Sequence, residues 1–380
     1  FCARRKVNDL LDEMDNMNGS LAILLLILSA GVCECARTPV KISLGAELNK
    51  NSVSVSDVSK GAKATVERFS ELVTMPGHDK PEDYSLPLPH TYVNLEKMPK
   101  NFNWANINGT SYLTKMLNQH VPQYCGSCWA HGAASALADR IKIANDAKGP
   151  DVNLAIQYIL NCGAGIAGSC HGGSHTGVYH FIKQSGMIPY DTCLVYEACS
   201  QESTEGRCSG GDFTCKPINT CRTCSTFTQF GGFCSEVDDF PNATIAEYGR
   251  VSGEQKMMAE IYARGPIACE VDATPLDDWS GGIFSKEGIY RANHIVSVVG
   301  WGHSAKEDKD FWIVRNSWGE YWGEMGFFRV ERGKDLLALE RNCAWATPDK
   351  FTQMNFPCYE DGSNCVITKN YEDPHKTWRN

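Results

Sequence analysis

Beyond the eight-residue apolar run Leu21 to Leu28, the chain has no stretch long and apolar enough to span a bilayer. A spanning helix needs about 20 such residues. Positive charge is also in short supply. Thirty-six Lys and Arg face 45 Asp and Glu, for a formal net charge of -9. That balance argues against nucleic acid as a partner, because phosphate backbones select basic surfaces. No internal repeat is visible. Residues 36 to 97 contain no cysteine and few aromatics, so they resemble neither the rest of the chain nor a packed core.

What is abundant is cysteine elsewhere, 18 in 380 residues. This usage points to an oxidising compartment and a disulfide framework. The run Leu21 to Leu28 precedes the small residues Ser29, Ala30 and Gly31. That is the pattern of a signal-peptide core and cleavage zone. The expected organisation is therefore an n-region extension or translated non-coding stretch at 1–16 and a signal peptide at 17–35. A propeptide follows at 36–97, then a catalytic domain at 98–349 and a tail at 350–380. An amphipathic helix through Val7, Leu10, Leu11 and Met14 is the alternative reading of the first stretch. The 36–97 segment shows weak helical periodicity around Ala64 to Val73. It ends in Pro81, Pro87 and Pro89, which favour an extended connector.

Apolar residues at Ala130, Ala133, Ala134, Leu137, Ile141 and Ala144 recur at helical spacing. They predict a helix that begins at about Cys128. Ala155 to Leu160 and Lys256 to Ala263 read as further helices. After Glu270 short β-branched and aromatic runs take over, at Ile295 to Val299, Phe311 to Val314 and Phe327 to Val330. The expected class is α+β, with a helical lobe, an antiparallel β-barrel-like lobe and a cleft between them. Residues 193 to 234 read as a disulfide-stapled, glycine-rich insertion.

The most informative segment is Gln119-His120-Val121-Pro122-Gln123-Tyr124-Cys125-Gly126-Ser127-Cys128-Trp129-Ala130. A thiol with a pKa of about 8.5 is a weak nucleophile until ionised. A helix N-terminus favours the thiolate, and a neighbouring imidazolium can lower the pKa to about 3–4. Such a fall corresponds to roughly 6 kcal/mol. Asn293-His294-Ile295 offers the imidazole, and Asn316-Ser317-Trp318-Gly319 offers an amide to orient it. Taken singly, His294 is as easily a packed residue and Asn316 a turn residue. Cys125 and Cys128 also form a Cys-x-x-Cys pair. A redox dithiol of that kind needs a βαβ context, and none precedes Cys125. Cys221-x-x-Cys224 could suggest zinc, but without a clean second pair disulfides are expected. No metal or cofactor is called for.

Three motifs in one order resemble the papain-like cysteine peptidases, over Met98 to about Asp349. The resemblance implies Cys128 as nucleophile, His294 as its base, Asn316 as the orienting amide and Gln119 as oxyanion donor beside the Cys128 N–H. Trp318 would shield the His294–Asn316 contact. Within the family, the extra residues between Gln119 and Cys128 resemble a carboxypeptidase subfamily. There His120 and Tyr124 would hold a substrate's terminal carboxylate, and Gly172-Gly173 would hold its backbone. Pro99-Lys100, Trp129-Ala130-His131, Met257 to Ala263 and Ile313 to Gly319 carry the same likeness. The implied disulfides are Cys125–Cys170, Cys162–Cys215, Cys193–Cys221, Cys224–Cys234 and Cys269–Cys343. Cys199–Cys208 and Cys358–Cys365 would be local additions.

Departures from the pattern are also visible. His294 and Asn316 lie farther from Cys128 than the roughly 130–150 residues usual in the family, and the insertion accounts for the excess. The 36–97 segment lacks a cysteine that could cap the nucleophile. Asn108-Gly109-Thr110 and Asn242-Ala243-Thr244 are glycosylation sequons. The implied protein is a monomer of the lysosome or extracellular space. It would act on peptides and proteins with free C-termini and meet cystatin-type inhibitors. An endopeptidase, an inactive protease-like binding module and a dithiol oxidoreductase are the competing readings.

Overall fold

Alanine dominates the helix that opens the dense part of the chain, and this lets it sit deep between other elements. In the computed structural model, which describes residues 70–72, 75–225, 232–353 and 357–365, α1 spans Cys128–Ala144. Every residue from Cys128 to Ile141 is buried. Helices α2 (Ile156–Cys162), α3 (His175–Ser185) and α4 (Glu254–Arg264) follow. The sequence reading anticipated α1, α2 and α4 but did not single out α3. Ser174 caps α3 by accepting from the Gly177 N–H, and Gly186 closes it at φ 74°. The residues read as a signal peptide, and most of the periodic stretch at Ala64 to Val73, lie outside the described residues.

The strands are β1 (Phe102–Asn103), β2 (Gly168–Ser169), β3 (Gly172–Gly173), β4 (Ile188–Pro189), β5 (Arg222–Ser225), β6 (Phe233–Glu236), β7 (Asn242–Val251), β8 (Ile267–Val271), β9 (Ile283–Phe284), β10 (His294–Ser304), β11 (Lys309–Arg315), β12 (Phe327–Glu331) and β13 (Cys343–Phe351). The large sheet runs β4-β7-β13-β8-β10-β11-β12-β9, with β1 added beside β10. All its pairings are antiparallel except β12 with β9. The order does not return on itself, so among the described residues the expected barrel-like lobe is an open sheet and no closed barrel. β2–β3 and β5–β6 are separate two-stranded pairs.

Two apolar cores result. One gathers α1, α2 and α3 around Trp129, Leu137, Ile159 and Tyr179. The other lies on the sheet, around Trp301, Trp312, Phe328 and Trp345. Helix α1 meets β10 closely, because a Cβ at Gly132 would come within 2.9 Å of Ile295 Cγ2. Two buried ion pairs bind α1 to its surroundings. Arg140 meets Glu260 of α4 at 2.9 Å and donates to the carbonyls of Pro266, Gly265 and Ala346. Asp139 meets Arg315 of β11 at 2.9 Å and accepts from Thr114. Such pairs need this full set of partners to offset the loss of water.

Seven disulfides are present: Cys125–Cys170, Cys162–Cys215, Cys193–Cys221, Cys199–Cys208, Cys224–Cys234, Cys269–Cys343 and Cys358–Cys365. Cys221 and Cys224 are each used in one, which removes them as zinc ligands. Four of the seven staple the stretch 193–234, internally or to α2. No helix among the described residues is long and apolar enough to cross a membrane.

Candidate active site

Cys128 is the first residue of α1, buried, and it retains its thiol. Ser127 before it makes no side-chain cap. The first-turn dipole is therefore available to a negative charge on sulfur. Because Cys125 is bridged to Cys170, the Cys-x-x-Cys pair is not available as a redox dithiol.

His294 opens β10 and is fully buried. Its Nε2 lies 2.8 Å from Asn316 Oδ1. That oxygen only accepts and also takes the Ser317 N–H at 2.8 Å, so the ring donates Nε2–H, and a ring nitrogen of His294 lies within 4.8 Å of Cys128 Sγ. The Trp318 ring is buried and lies 5.0 Å from the imidazole, where it screens the His294–Asn316 bond from solvent.

Gln119 is buried as well. Its Oε1 accepts from Ser317 Oγ at 2.7 Å, and its Nε2 donates to the Cys125 carbonyl at 3.1 Å. Its backbone carbonyl accepts from the Tyr196 hydroxyl at 2.8 Å. Tyr196 also meets Ser127 Oγ at 2.7 Å and packs edge-on to His131. His131 bonds back to Ser127, and burial lowers its pKa to about 4. Gln119 and the residue preceding the thiol are thus held by one side chain from the cysteine-rich stretch.

His120 and Tyr124 stack at 4.8 Å with an interplanar angle of 10°. The Asn118 side chain accepts from the His120 N–H. Gly172 and Gly173 pair with Ser169 and Gly168. Gly172 has φ 126°, and a Cβ at Gly173 would fall 2.6 Å from the Trp129 ring. That strand edge therefore admits only glycine.

Sequence reasoning missed Glu71. It is buried, and its carboxylate sits in the middle of these groups. Oε2 lies 2.8 Å from His294 Nδ1 and 3.1 Å from Gln119 Nε2. Oε1 accepts from the Tyr124 hydroxyl at 3.1 Å and lies 3.9 Å from His120 Nε2. Nothing local marks Glu71 among 45 acidic residues. Tyr196 was missed for the same reason. Glu71, Cys128 and His294 have ligand atoms within 4.8 Å of one another. As a sulfur, nitrogen and oxygen set they are the group among the described residues with the donor types zinc takes.

Comparison with known proteins bears on this arrangement. The family profile described as Papain family cysteine protease matches residues 98–348. Cathepsin Z of Onchocerca volvulus is 39% identical over 263 residues, covering 67% of this chain and 79% of that protein. Cathepsin B-like protease 1 of Arabidopsis thaliana is 25% identical over 318 residues, covering 76% and 78%. Among solved structures, the bromelain protease of Ananas comosus, in complex with the E64 inhibitor, is 26% identical with a TM-score of 0.50. It covers 66% of this chain and 99% of its own. Digestive procathepsin L2 from the larval midgut of Tenebrio molitor shares the fold at 19% identity and TM-score 0.57, covering 91% and 95%.

Proposed function

The chain belongs to the papain family of cysteine proteases, and from that premise we propose that it is a carboxypeptidase that removes C-terminal residues through a thioester. Cys128 is the nucleophile. Its thiolate, paired with the His294 imidazolium, attacks the carbonyl of the last peptide bond. The tetrahedral oxyanion accepts hydrogen bonds from Gln119 Nε2 and the Cys128 N–H. His294 then passes its proton to the departing amino group as the C–N bond breaks and the thioester forms. A water, deprotonated by His294, attacks the thioester and releases Cys128. Asn316 holds the ring so that Nδ1 serves both steps, and Trp318 keeps water from that bond. Gly172 and Gly173 carry the substrate backbone.

One observation supports the terminal-residue specificity. The stacked His120–Tyr124 pair lies beside Gln119 and faces a carboxylate, that of Glu71, at 3.9 and 3.1 Å. A substrate's free C-terminal carboxylate would have the same partners. A mid-chain peptide offers no anion there. Residues 36–97 are read as a propeptide and 98–349 as the catalytic domain, with 350–380 a tail. The disulfide framework supports a secretory route to the lysosome or outside the cell, as a monomer that cystatin-type inhibitors would recognise. Asn108 is exposed, whereas Asn242 Nδ2 donates to the Phe240 carbonyl at 3.0 Å. Asn108 is thus the better-placed glycan acceptor.

The test is mass analysis of peptides digested by the matured protein. Stepwise loss from the C-terminus is expected, with C-terminally amidated peptides cut poorly. Internal fragments from free-acid and amidated peptides alike would replace this reading with an endopeptidase.

A further inference from the structure

His131, Ala134, Ser135 and Ala138 share one face of α1, as residues three and four apart do, and that face lines a cavity of about 600 Å³. Small-molecule sites usually measure about 300–1,000 Å³. Leu154, Ile156 and Leu194 add buried apolar walls, and the cavity reaches the surface at the exposed Val121 and Val195. Cys128, His294, Asn316 and Gln119 are not among its lining residues, so it is a space apart from the site above. Its two charged side chains, Lys115 and Asp191, are paired with each other. Its buried histidine is His131, 2% exposed. The His131 Nδ1 lies 3.0 Å from the Ser127 carbonyl oxygen. A carbonyl only accepts, so Nδ1 carries the proton and Nε2 of the neutral ring is an acceptor. Nε2 has no hydrogen-bond partner among the described residues, since both side-chain contacts of the ring use Nδ1. We propose that this cavity is a binding site for a small uncharged aromatic molecule with one hydrogen-bond donor, which His131 Nε2 accepts.

Each property of the ligand follows from the lining. The walls are apolar, so an apolar body gains by leaving water. Burial holds the His131 pKa at about 4, so the ring is neutral at neutral and mildly acidic pH. A neutral Nε2 offers an anion no proton, and a cation would lose its water among apolar side chains whose one carboxylate, Asp191, is already paired. A donor at Nε2 removes the penalty of a buried acceptor left without a partner. Water would meet Nε2 but not the walls. The Tyr196 ring also lines the cavity and stands edge-on to His131 at 4.8 Å, so two rings offer a face and an edge to a third. These same two side chains hold the Gln119 carbonyl and Ser127. The ligand therefore touches the groups that brace the oxyanion side without entering the substrate cleft. Such a site is independent of which peptide bond Cys128 attacks.

Indole and N-methylindole are matched probes, alike in their rings but with and without the donor. Both are titrated calorimetrically at neutral pH into the matured protein, with Cys128 first alkylated by a thiol-directed epoxide so that the cleft is blocked. Indole should bind, and N-methylindole should bind roughly three- to tenfold more weakly, the effect of one neutral hydrogen bond. Ala134→Phe fills the cavity from α1 and should abolish indole binding. Ala138→Leu fills it less and should weaken binding, and it serves where circular dichroism shows that the larger ring prevents folding. Equal affinities for the two probes, or no indole binding up to its solubility, overturn the assignment whether or not either variant folds. Indole binding unchanged in a folded variant overturns it as well. Binding that is present before alkylation and lost after it would put indole in the substrate cleft, which also overturns the assignment.

Discussion

The Tyr196 hydroxyl donates to the backbone carbonyl of Gln119 across 2.8 Å, joining the cysteine-rich stretch to the oxyanion side of the site. Tyr196 acts through Gln119 and Ser127, and is a positioning residue. Tyr196→Phe removes both bonds and keeps the ring packed on His131. A neutral hydrogen bond contributes about 0.5–1.5 kcal/mol, so kcat should fall roughly three- to tenfold with KM nearly unchanged. A matching rise in KM instead would place Tyr196 in substrate binding.

His120→Ala removes the imidazole that faces the carboxylate position. Cleavage of free-acid peptides should lose about 1.5–3 kcal/mol in kcat/KM, the range for a charge-assisted hydrogen bond. Amidated peptides should change little, so the gap between the two substrates narrows. An unchanged ratio between acid and amide would remove His120 from carboxylate recognition.

Maturation is expected to release the chain up to about residue 97. Leu95–Lys97 form one short turn with no buried residue, and the Met98 that caps it is where the matched family region begins. N-terminal sequencing of active material should begin near Met98. An active species that retains residues 70–90 would contradict this boundary.

Acid should weaken the fold through two buried histidines. Burial lowers the pKa of His131 to about 4 and that of His175 also to about 4, with Arg250's charge adding to the effect on His175. Unfolded, each returns to about 6.5. Between these values the unfolded chain takes up protons that the folded chain refuses. Stability from both groups is therefore complete above pH 6.5 and declines as pH falls towards 4. The loss is at most on the order of 3 kcal/mol per histidine. Urea midpoints at pH 7 and pH 4.5 should differ by less in a His175→Gln variant than in the unmodified protein. An equal difference would show that His175 is protonated in the folded state.

Glu260→Ala leaves Arg140 buried without its carboxylate. Removing one member of a buried pair costs about 3–5 kcal/mol, so the variant should melt well below the parent. Arg140→Met together with Glu260→Leu should recover part of that loss. If the single substitution leaves the melting temperature unchanged, water reaches this pair.

The parts legible in the sequence are those whose cause is local. Alanine at helical spacing, with Gly132 as the one glycine and no proline, forms α1 and places Cys128 at its first turn. Alternating β-branched and aromatic residues between glycines yield β10, β11 and β12. The pentapeptide Cys125 to Trp129 and the short runs at His294 and Asn316 carry their chemistry in adjacent residues. Helix α3 was harder to read, because His175, Thr176 and Gly177 at its start are weak helix formers and its stability comes from packing Val178, Phe181 and Ile182.

Only the tertiary structure brought Glu71 to His294, 223 residues away in the chain, and Tyr196 to Gln119. It also settled the order of strands in the open sheet and the orientation of the imidazole. Each depends on which surfaces meet once two apolar cores have closed. A carboxylate or hydroxyl carries no sign in sequence of the partner it will face, because the energy of that contact exists only after burial has excluded water from both sides.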